Sequence, residues 1–473
     1  MDQSTLIAGV VEEVLKQLAR SGAGSSASVV APVGAGAHGV FSDANSAVAA
    51  AKAAYQQLAS KGMDVRTGIC NLIKQIASDN AQSWAEIELA ETKVGRLDHK
   101  IGKLHLLSNV PGTEFLKTQA HSGDDGIGLD EPAAWGVIGV VTPVTHSIPT
   151  LSANAISMIA AGNSLVINAH PSGYKCAMLA VQTYNKAIAA KYGIDNLITM
   201  VNPPTLESAN AIFTHRDVAM LCITGGPAVA KAAMAQPKRA VVGGPGNPPV
   251  VVDETADLDN AARSIIAGAS FDNNLLCIGE KEVFVVSSVF DRMMDAMSRA
   301  GAVRLNASQI EALTQKAFAN KDNHWALNKD LVGKDTRVLA EAAGMSLPNG
   351  VDLLYGETDA KNPFVTQEQM MPFVPFVRVT DVDQAIALAL QNEHGYGHTA
   401  CIHSNNLATI TRMGKLMNTT LFAVNGPSTA TLGIGGEGYA SFTVATPTGE
   451  GVTTALTFTR FRRMTVSGAL RVI

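Results

Sequence analysis

Charge is scarce in this chain: of 473 residues, 16% are Asp, Glu, Lys or Arg, and the net charge is −5. No Lys/Arg cluster exists beyond Arg460-Phe-Arg-Arg463, which argues against nucleic acid as a partner. The five cysteines, Cys70, Cys176, Cys222, Cys277 and Cys401, are scattered, with no C-x-x-C pair. An odd count without a framework excludes a disulfide scaffold and fits a reducing cytoplasm. No apolar run reaches membrane-spanning length; Trp135–Val141 and Ala219–Ile223 are strand-sized. The first 20 residues do not read as a secretory leader, since Asp2, Glu12 and Glu13 are acidic and no basic segment precedes an uninterrupted apolar one. Nothing suggests a metal site or a membrane contact.

What is abundant is Ala and Gly, the composition of a large α/β protein with wide buried surfaces. At this length two or three structural units are expected. The first 20 residues stand apart. Leu6, Ile7, Val10, Val11, Val14, Leu15 and Leu18 fall at helical spacing, with Glu12, Glu13, Lys16, Gln17 and Arg20 between them. This reads as one short amphipathic helix over 1–20, on a flexible linker over 21–39 rich in Gly, Ala and Ser. A tethered helix either docks on its own domain or buries its apolar face on a partner.

Two G-x-G-x-x-G strings, Gly34/Gly36/Gly39 and Gly433/Gly435/Gly438, look like dinucleotide fingerprints but lack the required strand, helix and acid around them. The folded body begins at Ser42, with Ser42, Asp43 and Asn45 as N-caps for an Ala-rich helix to about Leu58. Helices at about Val65–Ser78 and Ala81–Lys93 follow, then loop or hairpin residues around Pro111 and Ser122–Gly128. From Trp135 strands and helices alternate: strands Gly136–Thr142, Ser164–Asn168, Leu197–Val201 and Val218–Ile223; helices Leu151–Ala161, Lys175–Lys191, Leu206–Thr214 and Ala228–Met234. Continuous apolar strands between helices mean a parallel sheet covered on both faces. Such sheets bind ligands at the carboxyl ends of their strands. Here those ends are Thr142-Pro143, Asn168-Ala-His170-Pro171 and Thr224-Gly225-Gly226, and the Gly-Gly-Pro turn lets an anion approach a helix N-terminus. A second α/β unit runs from about Pro249 to Asn425. The late segment Val452–Arg460 reads as a strand whose partner is either the Ser122–Glu131 region or another subunit.

Within the second unit lies Cys277, between a helix at Leu258–Ala269 and a strand at Lys281–Val286. Residues 274–280 include no Lys, Arg or His, so a thiolate there needs activation from a helix N-terminus, backbone N–H groups or a bound cationic cofactor. Local sequence alone favours a small buried hydrophobe.

Taken in order, Val140-Val-Thr-Pro-Val144, Ala160–Pro171, Ile223-Thr-Gly-Gly226, Gly243-Gly-Pro-Gly-Asn-Pro248, Cys277-Ile-Gly279, Glu368-Gln-Met-Met-Pro372 and Gly449-Glu-Gly-Val-Thr453 resemble the aldehyde dehydrogenase superfamily over almost the whole chain. More narrowly they resemble its CoA-acylating branch, the propionaldehyde and acetaldehyde dehydrogenases of bacterial microcompartments. The resemblance implies an α/β fold in parts: a Rossmann-type NAD-binding domain (40–114 and 136–248), an α/β catalytic domain (249–445), and a β oligomerisation arm (115–135 and 446–473). It implies Cys277 as a nucleophile that attacks a short aldehyde (propanal, lactaldehyde or acetaldehyde), passes hydride to NAD and hands the acyl group to CoA. Thr142, Pro143, Asn168, His170, Pro171, Thr224, Gly225, Gly226, Gly244 and Glu368 would hold the cofactor. It further implies a dimer or dimer of dimers, and residues 1–20 as an encapsulation peptide for a microcompartment shell or cargo.

Two departures carry information. Hydrolytic relatives place a glutamate before the Gly-Gly motif to activate water; here the stretch is Ala240-Val-Val-Gly-Gly244, with no acid. That favours transfer to CoA over release of a free acid, and over a catalytically silent scaffold the intact Cys277 and Glu368 favour an enzyme. Acylating relatives commonly carry asparagine where His146 stands, so His146 is expected either to donate to the reacting oxygen or to line the pocket. His170-Pro-Ser-Gly173 lacks the family's ribose-binding lysine and glutamate, which leaves NAD against NADP open.

Overall fold

The computed structural model describes residues 37–321 and 324–473. The helix and linker expected at the N-terminus therefore fall outside the described residues, apart from the linker's last few.

Two parallel sheets organise the chain. The first contains β1 (Val40–Phe41), β2 (Val137–Thr142), β3 (Ser164–Ala169), β4 (Ile198–Val201), β5 (Val218–Thr224) and β6 (Arg239–Gly243), in the order β1-β4-β3-β2-β5-β6. Every neighbour is parallel. β2 and β3 are buried along their whole length, as their unbroken apolar sequences require of a sheet covered on both faces. The order reverses direction at β2, between β3 and β5, so the crevice at their carboxyl ends is where such a sheet receives a ligand.

Helix α1 (Ala44–Ala59) starts where the sequence signals it: the Asp43 carboxylate accepts the Ser46 N–H at 2.8 Å. α2 (Met63–Asp79) and α3 (Ala81–Thr92) follow, then α4 (Leu97–Leu106), an element the sequence reading passed over. Its signal was present: Leu97, Ile101 and Leu104 share a face and Asp98 occupies the first turn. α5 (Ser147–Ala160) runs from the end of β2 and is buried throughout.

The second sheet contains β7 (Pro249–Val252), β8 (Glu282–Val286), β9 (Val303–Arg304), β10 (Leu354–Glu357), β11 (Phe373–Val379), β12 (Thr399–His403) and β13 (Leu421–Val424), in the order β9-β10-β11-β8-β7-β12-β13, again all parallel. Each sheet has its own apolar core. The five residues Gly244–Pro248 carry the chain from β6 of the first sheet to β7 of the second.

The late segment corrects the expectation for Val452–Arg460. Ala455–Phe458 is a 3₁₀ turn, and the strand is Thr459–Ser467. It pairs antiparallel with Gly126–Ala134 of the same chain, in register Arg462↔Glu131 and Met464↔Leu129, and Gln119–Gly123 forms the third strand. The partner is thus the hairpin region, one of the two alternatives.

Candidate active site

Helix α6 (Leu258–Ser270) ends against the segment that carries Cys277. Between them Asp272, Asn273 and Asn274 adopt φ of 51°, 57° and 62°, three successive left-handed residues. Asp and Asn tolerate this region better than other side chains because they bond locally, yet such a run persists only where its surroundings hold it. Every member is held. The Asp272 carboxylate accepts the Arg96 N–H at 2.7 Å and pairs with Lys103. Asn273 Nδ2 donates to Gly333 O at 3.1 Å and to the Asp335 carboxylate at 2.8 Å. Asn274 Nδ2 donates to Glu280 O at 3.0 Å. The turn reverses the chain and presents Cys277 beside the first sheet.

Lys281, four residues past the cysteine, closes the loop from behind. It is fully buried, and its ammonium donates to Asn274 O (2.8 Å), Asn274 Oδ1 (2.6 Å) and Leu276 O (3.0 Å). Three donors meet three acceptors, so the charge is satisfied by the loop it shapes. Burial still drags its pKa down to about 8, against the pull of Glu368 and Cys277. The neighbouring Glu280 accepts the Ser428 N–H (2.7 Å) and hydroxyl (2.9 Å), and burial raises it to about 7.

Cys277 itself is partly accessible through a cavity, while protein surrounds its sulfur on the other sides. Burial, seconded by the Glu368 carboxylate, pushes the thiol up to about 12. Lys281 and the backbone N–H groups of Cys277 and Ile278 pull the other way. Of the helpers the sequence suggests, the backbone N–H groups are there; Lys281 is an addition to them, and burial outweighs both in the free protein. Gly246 passes so close that a Cβ there would sit 2.2 Å from the Cys277 carbonyl oxygen and 3.2 Å from the His398 ring. His398 is fully buried, with Nδ1 bonded to the Thr399 hydroxyl at 2.8 Å and Nε2 without a partner among the described residues. Burial, with Lys281 adding to it, lowers its pKa to about 4, so this imidazole is neutral at pH 7.

The cavity holds about 610 Å³, open solvent at its mouth included. Thr224, Gly243 and Gly244 line it from the ends of β5 and β6, and Cys277, Leu276 and Ile278 from the cysteine loop. Leu106, Phe271, Leu432, Ile434, Phe442 and Val444 supply apolar walls; Lys103, His146 and Ser441 supply the polar side chains. No carboxylate among the described residues lines it. Of the residues singled out from sequence, Cys277, His146, Thr224 and Gly244 meet in this one space. Thr142 and Pro143 end β2 beside it, and the Thr142 hydroxyl is buried with no partner among the described residues. Asn168 donates to Thr205 O at 3.2 Å at the end of β3. His170 and Pro171 lie exposed just beyond, at the outer edge. Gly225 and Gly226 open toward solvent, and the helix they precede, Pro227–Met234, has no side-chain cap. Glu368 approaches from the second sheet; burial raises its pKa, and Lys281 and the Gly246 backbone pull it back. The Gly433, Gly435 and Gly438 string lies in an irregular segment at φ of 81°, 76° and 132°, not in a strand-to-helix turn.

Sequence reasoning missed Lys103, Asp272, Lys281, Glu280 and His398. Asp272-Asn-Asn274 is a composition suited to left-handed backbone, and that much was readable. The partners of Lys103 lie 43 and 169 positions away, which no local pattern reveals.

The model of the aldehyde dehydrogenase family matches residues 27–456. The acetylating acetaldehyde dehydrogenase EutE of Salmonella typhimurium is 44% identical over 439 residues, covering 92% of this chain and 94% of the relative. Two solved structures superpose closely, each at 39% identity and covering 92% of this chain and 100% of the other. One is a propionaldehyde dehydrogenase from the fucose utilisation microcompartment of Clostridium phytofermentans, with a TM-score of 0.89. The other is the propionaldehyde dehydrogenase of Rhodopseudomonas palustris, with bound CoA and an acylated cysteine, with a TM-score of 0.90.

Proposed function

The chain belongs to the aldehyde dehydrogenase family, and from that premise we propose that it is a CoA-acylating enzyme which oxidises a short aliphatic aldehyde with NAD and CoA to an acyl-CoA and NADH. The observation that carries this reading is the composition of the cavity: a cysteine is present and, among the described residues, no carboxylate lines the space.

The residues at the strand ends fit a dinucleotide. The orphaned Thr142 hydroxyl, the uncapped helix start at Gly226 and the open Gly225-Gly226 backbone each await a partner of the kind a ribose and pyrophosphate supply. When bound, NAD supplies the hydride acceptor and CoA the thiol that receives the acyl group. The chain's own part begins with the Cys277 sulfur, which adds to the carbonyl carbon; a C–S bond forms and the π pair moves to oxygen. The N–H of Cys277 is placed to stabilise charge near the sulfur, and His146 lines the same space. The aldehyde C–H bond then breaks, its hydrogen leaving with the electron pair to the hydride acceptor, the oxygen's pair re-forms the C=O, and the acyl group rests on Cys277 as a thioester. With no lining carboxylate to activate water, it stays there until a thiolate adds, the C–S bond to Cys277 breaks and the cysteine thiolate is regenerated. Leu106, Phe271, Ile434 and Phe442 favour an apolar chain on the aldehyde carbon.

The microcompartment origin of a close structural relative supports the same setting for this chain, with residues 1–20 as its encapsulation helix. Deleting them is expected to leave turnover unchanged and to abolish co-purification with shells; lost activity would point instead to a helix docked on its own domain.

The test is propanal with NAD⁺, with and without CoA, followed by product identification. Propanoyl-CoA formed in proportion to NADH is expected. Steady NADH formation without CoA, with free propanoate as product, overturns the acylating reading.

A further inference from the structure

Helix α4 places Lys103 inside the protein at 1% exposure, where its ammonium has three acceptors: the Asp272 carboxylate, Nδ1 of His146 at 3.3 Å and Thr145 O at 3.4 Å. An ammonium has three hydrogens and no lone pair, so each contact requires an acceptor. Nδ1 of His146 must therefore be bare. The ring proton then sits on Nε2, which donates to the Thr145 hydroxyl at 3.0 Å.

Burial, and after it the charge of Lys103, keeps the ring neutral. The groups facing His146 are Lys103 and Lys100 from α4 and Asp272 from the cysteine loop. Lys100 pairs with Glu88 of α3 at 3.1 Å, and Glu88 also accepts the Ile148 N–H at 3.1 Å at the start of α5. Two buried cations balance two buried anions. A proton added to His146 would leave one uncompensated charge in the interior. Asp272 lies five residues before Cys277, so one carboxylate anchors both this network and the nucleophile's turn.

We propose that Lys103 is a positioning residue for the reaction at Cys277: seated on Asp272, it fixes the proton of His146 on Nε2, the nitrogen that then donates to the oxygen developing negative charge in the cavity. The inference rests on the function proposed above. A wrong tautomer would present a lone pair to that oxygen and repel it. The Thr145 hydroxyl holds the proton in the resting site, and the substrate oxygen displaces it as a stronger acceptor.

Lys103→Met removes the donor and leaves the Asp272 carboxylate facing Nδ1, which draws the proton to the wrong nitrogen. Turnover at pH 8 is expected to fall about 10²-fold below wild type, and the ratio of the two rates to close as the pH falls through the histidine range, because the imidazolium carries both protons. In a His146→Asn background, where an amide donates without a tautomer, adding Lys103→Met should cost less than about threefold. Equal losses in both backgrounds mean that Lys103 is merely structural and overturn the proposal. Should Lys103→Met not fold, the wild-type protein still decides the matter. Nitrogen-15 NMR of histidine-labelled enzyme, with His146 assigned by its loss in His146→Asn, is expected to show a neutral ring protonated on Nε2. A ring protonated on Nδ1, or on both nitrogens at pH 7, overturns the proposal. That readout does not depend on CoA or aldehyde, so it separates this inference from the enzymatic reading, which the wild-type product assay tests.

Discussion

Cys277 is a thiol pushed up to about 12 by burial, with Glu368 assisting. The thiolate is the reactive form, so its fraction in the free protein is small at neutral pH and grows about tenfold per unit of rising pH. Alkylation of Cys277 by iodoacetamide is thus expected to be slow at pH 7.5 and to climb steadily to pH 10. Bound NAD⁺ brings a cationic ring to the site and should accelerate it; equal rates with and without the dinucleotide would contradict a cofactor-activated cysteine. Cys277→Ala should lower turnover by about 10³-fold or more while dinucleotide affinity, measured by fluorescence titration, stays near wild type. At this scale the sequence was partly legible. The apolar flanks of Cys277 and the missing acid before Gly243-Gly244 could both be read. Lys281 could be seen four positions away, but that it bonds to Asn274 and Leu276 from behind the loop depends on a left-handed turn that spacing does not disclose.

The turn 272–274 and the crossing segment Gly244–Pro248 act as elements, and each gives a test. Gly246→Ala would force a methyl against the Cys277 carbonyl oxygen, and the nucleophile must shift. A displacement near 1 Å can cost about 10²-fold in rate; a drop in kcat with near-native melting is expected, and unchanged kcat would contradict the close approach. Glu280 gives the second test. Its carboxyl is raised to about 7 in the folded protein from 4.5, so the stability its neutral form contributes is complete below pH 4.5 and is lost as pH rises toward 7. Relative to Glu280→Gln, the wild type should lose stability between pH 5 and 8, by roughly 3 kcal/mol at most; parallel denaturation curves at both pH values would refute it. Elements with strong periodicity, such as α1 and the strands β2 to β5, were legible to within two residues or so because propensity, caps and burial agree there. Helix α4 was passed over because its apolar face is narrow and half its residues are charged or polar. Two of them, Lys100 and Lys103, turn inward onto Glu88 and Asp272, against the rule that charge faces water.

Across the whole molecule the alternation of strand and helix announced one covered parallel sheet and a second α/β unit; both are there, and the second unit is also built on a parallel sheet. What the sequence left open was where the tail goes. Thr459–Ser467 pairs with Gly126–Ala134 on one side, has no strand on its other edge among the described residues, and exposes Phe461 and Met464 at 59% and 51%. Long unpaired edges invite pairing with another chain. Replacing both residues with Asp is expected to lower the mass measured by sedimentation from a dimer or tetramer to a monomer; an unchanged mass would remove the arm from the assembly. The central claim, however, concerns the cavity, and a single turnover without CoA tests it most directly. Enzyme mixed with NAD⁺ and propanal should release a burst of about one NADH per chain and then stop, with the Cys277 peptide heavier by one propanoyl group. Continuous NADH release with an unmodified Cys277 would contradict it.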